Sequence, residues 1–181
     1  NPVVFGKNVV ITNDSPSVAA PITGVPTHYT ISPMLPDSLR LDTLTGIISG
    51  KAVNAQDTTA YIVTGSNIAG QDTETVRIKV VNPITALVYV RDTTVFGVNI
   101  PIVNDSPVVT ASTPFTPISY SVDSLPQGLS INAQTGVISG TPTSASSAAN
   151  YHVTVRNAAN SVTHTLNLRV LAAPTGLTYS S

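Results

Sequence analysis

"LPQGLSINAQTGVISGTPT", from Leu125 to Thr143, is a phrase the chain writes twice. From Leu35 to Val53 it reads "LPDSLRLDTLTGIISGKAV", identical at eight of nineteen positions. Pro126 presets φ for the first corner of a turn. Leu129 and Ile131 then face a core. "NAQTG" reverses the chain: Asn132, matched by Asp42, suits the opening position of a type I turn, and Gly136, matched by Gly46, suits the left-handed residue that closes such a hairpin. Val137 to Ser139 runs back. The phrase is therefore a turn–strand–turn–strand unit. No helix is read after either glycine, so it is scaffold and not a phosphate-cradling loop.

The likeness continues outward at a fixed offset, which marks internal repetition. "YIVTGSNIAG" from Tyr61 pairs with "YHVTVRNAAN" from Tyr151, and "FGKNVVITNDSP" from Phe5 with "FGVNIPIVNDSP" from Phe96. The offset changes by one between Tyr29 and Leu35, which implies a loop that tolerates insertion. Two domains of like fold follow: residues 1–82, lacking a first strand; residues 83–172; and residues 173–181 as the start of a further repeat.

Alternation of apolar and polar residues places strands in the second copy. These are Leu87–Tyr89, Val98–Ile102, Ile118–Val122, Leu129–Ile131, Val137–Ser139, Tyr151–Val155 and Leu166–Val170, with "NDSP" from Asn104 read as a turn. About seven half-buried strands per copy give an all-β chain of two tandem immunoglobulin-like β-sandwiches. The hairpin before the last strand predicts positive φ at Gly70 and Asn160. Tyr61 and Tyr151, two residues before Val63 and Val153, take the place of the tyrosine that precedes the second cysteine in immunoglobulin domains. Each hydroxyl is predicted to bond the backbone a few residues upstream.

Composition bounds the function. Of 181 residues 9% are charged and the net charge is −1, so the chain lacks the basic stripe a nucleic-acid binder needs. No apolar run approaches the length of a membrane span, and the first residues lack a signal-peptide pattern. With no Cys, disulfides and thiolate metal sites are excluded. A cysteine-free module of this size points to a bacterial surface or secreted protein, because secreted eukaryotic modules of such size usually carry disulfides.

"LPQGLSINAQTGVISGTPT", "YHVTVRNAANS" and the hydrophobic final strand resemble the bacterial "putative immunoglobulin" tandem-repeat family, near the dystroglycan-type cadherin-like modules. The first copy departs from the pattern at "GKAV" and at Ser38, where Gly is usual. The resemblance implies long extracellular multi-repeat proteins: adhesins, fibres or stalks beside enzyme domains. Cadherin-type calcium sites would need clustered acids at the junction, and "VVNPITALVYV" has no acid before Asp92.

The candidate site residues are few. His28, His152 and His164 fit no zinc spacing; His152 is read as pointing outward, and His164, matched by Glu74, as edge-exposed. No Ser sits in a nucleophile elbow, and Glu74 is the only Glu. Asp14, Asp37, Asp42, Asp57, Asp72, Asp92, Asp105 and Asp123 stand mostly in turns, where they bond locally. Asp14 and Asp105, in the twin "NDSP" stretches, are the best placed for calcium, yet neither has a second acid nearby. "NDS" at Asn13 and Asn104 fits a glycosylation acceptor weakened by the following Pro. The expectation is no catalytic, cofactor or metal residue, no enzyme activity, no nucleic acid and no membrane insertion. The chain reads as a spacer or tether in a bacterial cell-surface adhesin or extracellular fibre. Its partners would be neighbouring repeats of the same polypeptide or of adjacent subunits, with any surface glycan or protein ligand unidentified. A carbohydrate- or protein-binding module, accessory domains of a secreted hydrolase, and a filament subunit joined by strand addition are the other readings. The short linker at Asn82–Pro83 implies little freedom between domains. The tail "LAAPTGLTYSS", matching "VNPITALVYVR", implies either a longer array or head-to-tail polymerisation through Leu177 to Ser181.

Overall fold

The protein is described by a computed structural model at residues 1–14, 24–116 and 119–179. Its described elements are all strands, and the chain divides into two compact units, the first built on Asn1–Pro83 and the second beginning at Ile84. The first unit holds β1 (Val3–Gly6), β2 (Val10–Asp14), β3 (His28–Ser32), β4 (Leu39–Leu41), β5 (Ile48–Lys51), β6 (Gln56–Asn67) and β7 (Gly70–Val81). The second holds β8 (Ile84–Tyr89), β9 (Thr93–Gly97), β10 (Pro107–Ala111), β11 (Ser119–Val122), β12 (Leu129–Ile131), β13 (Ile138–Gly140), β14 (Ser146–Arg156) and β15 (Ser161–Leu171).

Each unit is an immunoglobulin-like two-layer sandwich. One layer is a four-stranded sheet, β1-β7-β6-β3 in the first unit and β9-β15-β14-β11 in the second. In both, the first-listed pair, β1 with β7 and β9 with β15, runs parallel, and the others antiparallel. The facing layer is β2-β5-β4 in the first unit, and β12-β13 together with β8-β10 in the second. Alternation decides what lies between the layers. Tyr151, Val153 and Val155 from β14 and Leu166 and Leu168 from β15 meet Ile84, Leu87 and Tyr89 from β8 and Ile138 from β13. Among the described residues the first core gathers Ile11, Leu35, Leu39, Ile48, Ala52, Tyr61, Ile78 and Val80.

The duplicated phrase folds as its turn chemistry dictates. Leu44 and Thr45 N–H donate to Asp42 Oδ1, and Gln134 and Thr135 N–H donate to Asn132 Oδ1, all within 2.9 Å. Gly46 and Gly136 both stand at φ 73° and donate to the carbonyl of Asp42 and of Asn132 at 2.8 Å. A Cβ on Gly136 would press on Tyr120 and Pro107. The inserted residue falls in the loop after β3, where Met34 is exposed.

Several strand expectations are corrected. Val98–Ile102 is not a strand: Asn99 is left-handed at φ 60°, as its match Asn8 is at 64°. Ile100 N–H closes the turn onto Gly97 O. The first copy resumes as β2 after this turn, whereas Pro101 stands where β2 has Val10 and has no N–H to donate. β9 precedes that turn instead. "NDSP" is not a free turn either, because Asp105 N–H and C=O both bond Ile138, and Asp14 pairs Ile48 in β2. β13 lies one residue later than read. Ser15, Pro16 and Ile118 lie outside the described residues.

Two finer expectations fail. Gly70 has the positive φ expected of it, at 158°, but Asn160 does not. The loops explain this. Asn67 pairs Gly70 directly, and Asn67 Oδ1 accepts the N–H groups of Ala69 and Gly70. The second ladder stops one step earlier, at Arg156–Ser161, leaving four residues to turn. The Tyr61 hydroxyl accepts from the Gln56 side-chain amide at 3.0 Å, not from backbone. The matching residue in the second unit is Ser146, too short for that reach, and its hydroxyl is buried without a partner among the described residues.

Ser38 stands at φ 70° where its match Gly128 stands at 93°. An L-residue in that region costs about 1–2 kcal/mol. Ser38→Gly should therefore stabilise the first unit by about 1 kcal/mol in denaturant unfolding. Gly128→Ala should destabilise the second by more, since its Cβ would strike the Thr141 carbonyl oxygen.

Candidate functional site: the histidine–aspartate pairs and the groove of the second unit

β8 ends at Tyr89, and the chain reaches β9 through Arg91 and Asp92. The parallel ladder with β15 fixes Asp92, whose carbonyl accepts Asn167 N–H at 2.6 Å. Its carboxylate then meets His164 Nε2 at 2.7 Å; a carboxylate only accepts, so this nitrogen carries the proton. The His164 ring lies tilted on Tyr89, centroids 6.1 Å apart. Tyr89 donates to the Gly136 carbonyl at 2.6 Å, and burial pushes its phenol above the usual range. The expectation of an edge-exposed His164 is corrected: its side chain is 18% exposed, because β8 crosses this end of β15 and Asp92 supplies a partner.

His152 points outward on β14 and is half-exposed. Its Nδ1 meets Asp123 Oδ2 at 2.8 Å, and its backbone N–H donates to Asp123 Oδ1 at 3.0 Å. Ser124 N–H adds a third bond at 2.7 Å. The His152 side chain, then its backbone N–H, holds the Asp123 carboxyl down at about 2. His28, at the exposed start of β3, stands apart from both pairs.

Asp105 is buried, and its position shows what it does. Burial pushes its carboxyl up, against the opposing pull of the Arg91 and Val90 N–H groups and the Arg91 charge. Arg91 itself donates to Val103 O at 3.2 Å. Asp105 thus fastens the β8–β9 connection to the facing layer. The Asp14 side chain lies outside the described residues. Asp42 is lowered by the Thr45 and Leu44 N–H groups. Asp37 accepts from Asn54, Asp57 pairs with Lys79 at 3.7 Å, and Asp72 caps Thr73. Glu74 is exposed. Among the described residues no three His, Cys, Asp or Glu side chains gather to hold a metal ion. No helix among them is long and apolar enough to cross a membrane.

Beside Arg91 opens a cavity of about 320 Å³ lined mainly by Val95, Phe96, Ile100, Pro101 and Val103. It is shallow and apolar, and Val95, Ile100 and Val103 are largely exposed. The histidine–aspartate contacts are fastenings between loops and strands. Sequence reading placed Asp92 and Asp123 in turns and missed both pairings. A signal existed: His152 and Asp123 replace Ile62 and Ser32, and His164 replaces Glu74, so each pair is confined to the second copy.

Residues 83–171 match the family described as "Putative Ig domain". No curated protein matches the chain. Among solved structures it is similar to an I-band fragment of titin, with 16% identity and TM-score 0.47, covering 94% of this chain and 63% of that one. It is similar to the N-terminal four Ig domains of Dscam1, at 14% identity and TM-score 0.43, covering 93% and 43%. Extracellular domains 3–5 of Drosophila OTK give 16% and 0.46, covering 94% and 59%. The chain thus spans less than two thirds of each of these structures.

Because the folded pKa of Asp123 lies below its unfolded value, its pairing contributes stability that is full above about pH 4. That stability is lost as pH falls through about 2. Asp123→Ala should lower the thermal midpoint at neutral pH, and the gap from the parent chain should close at the acid end of a pH series.

Proposed function

We propose that the chain is a pair of structural spacer repeats of an extracellular protein, of the kind that makes up a bacterial surface adhesin or fibre. The observation that carries this is the parallel pairing of β1 with β7 and of β9 with β15. In each unit these strands stand near the two chain ends. Opposed pulling on the ends loads such a ladder in shear, so its hydrogen bonds resist together and do not open one by one. The remaining chemistry supports the same reading. The duplicated phrase is turn and core, and the aspartates fasten loops. The match of residues 83–171 to an immunoglobulin-domain family agrees with a scaffold role. On this reading the repeats divide at Asn82–Pro83, and a linker with Pro83 and no Gly/Ser stretch holds the two units with little freedom.

Single-molecule stretching of the chain tests this. Two force peaks are expected, each releasing about 300 Å of chain for a unit of this length. Val95→Pro, which removes a β9 N–H, should lower the force of one peak and leave the other. Extension without resolved peaks, or scattering that shows a broad spread of interdomain angles, would remove the tether reading.

A further inference from the structure

Force on the second unit enters its parallel ladder at two points. β9 and β15 run side by side from Thr93–Asn167 to Gly97–Leu171. A pull from the amino-terminal side reaches β9 at its start, through Arg91 and Asp92. A pull from the carboxy-terminal side reaches β15 at its end, at Leu171. In a ladder sheared this way, strain is greatest at those two ends. At the β9 start, the main-chain bond from Asn167 N–H to Asp92 O, at 2.6 Å, is doubled by a side-chain bond on the same residue. Asp92 Oδ1 accepts from His164 Nε2 at 2.7 Å. The imidazole is 18% exposed, and its ring lies on Tyr89, so the donor is held in place and partly screened from water. A hydrogen bond to an ionised carboxylate is about twice as strong as a neutral one.

The register gives this bond a direction. Thr93 faces Asn167, which sets Asp92 beside Leu166, and His164 lies two residues further back on β15. A pull on the start of β9 draws Asp92 back along β15, towards the level of His164. A slip of two residues, about 7 Å, would bring them level. Slip therefore does not stretch the bond. Peeling does, because it moves the start of β9 sideways, away from β15. The pair resists the motion that opens hydrogen bonds one at a time and follows the motion that loads them together.

We infer that the Asp92–His164 bond is a mechanical latch, which keeps the loaded start of β9 against β15 so that the ladder is sheared and not peeled. Asp92 and His164 are positioning residues: they act through the main-chain ladder. The inference rests on the tether reading and deepens it by naming the residues that set the strength of one unit. Asp123 and His152 supply the contrast. They form a pair of the same chemistry in the same unit, but tie the end of β11 to β14, at the opposite edge of the sheet from β9.

Stretching single molecules of the 181-residue chain at constant force, with denaturant unfolding alongside, tests this. The step that Val95→Pro weakens belongs to the second unit. Asp92→Ala should shorten the dwell time before that step about fivefold. His164→Phe, which keeps a ring on Tyr89 and removes the donor, should do the same, and the double variant should be no worse than either. Asp92→Asn, which leaves His164 an acceptor, should recover part of the dwell time. Asp123→Ala should lower the denaturant midpoint and leave the dwell time at the parent value. A parent dwell time in Asp92→Ala overturns the latch and leaves the tether reading standing. An equal loss in Asp92→Ala and Asp123→Ala also overturns it, because both pairs would then act through overall stability. A parent chain that extends without resolved steps removes the latch together with the tether reading.

Discussion

The long hairpin is what each unit is organised around. β6 with β7, and β14 with β15, are the longest strands, and they are paired in matching register: Tyr61 opposite Val76, Tyr151 opposite Leu166. Both of their outer edges are taken, one by an antiparallel strand and the other by a parallel one. A slip of one residue in this ladder would turn Val153, Val155, Leu166 and Leu168 out of the core. The bulge near Gln56 and Ser146 recurs in both copies at the same step of the ladder. The register is therefore held by apolar alternation along the strands and by a shared irregularity at one end. The two closing loops are free to differ, and they do.

That hierarchy explains what could be read in advance. Turns that satisfy themselves locally were legible: Asp42 and Asn132 bond residues two and three positions on, and Gly46 and Gly136 take the left-handed place beside them. Strands with clean alternation, such as β14 and β15, were legible for the same reason. Val98–Ile102 misled because its apolar spacing is real while Asn99 and Pro101 break the ladder. The pairings of the candidate site were hidden by distance: Asp92 and His164 stand 72 residues apart, and only the parallel ladder brings them together. Asp105 was read by its exposed-turn context, yet its backbone pairs with Ile138 and draws the side chain inside.

The polar groups that might have suggested chemistry are spent on fastening. Asp123 is held by three N–H donors, and Asp105 holds a connection in place. The chain has few charges and almost no net charge, so it generates little long-range field with which to steer a charged ligand. The second unit carries both histidine pairs, and the first carries a left-handed serine. Two copies of one design have thus drifted apart in how their loops are fastened.

The parallel contact between β9 and β15 also constrains how the second unit is made. Thr93 meets Asn167, so the two strands that complete the sheet come from opposite ends of the unit. A chain leaving the ribosome cannot form this contact until nearly the whole unit has emerged. Until then β9 has no partner, and the edge of β14 that β15 will cover stays open. Such long-range pairing makes closure late and cooperative, and it leaves a nascent chain exposed to the wrong neighbour while it waits. With a related repeat next to it, the wrong neighbour most at hand is the other copy of the same phrase. The divergence of the two copies, only eight identities in nineteen in the duplicated phrase, helps keep each strand from pairing with its twin.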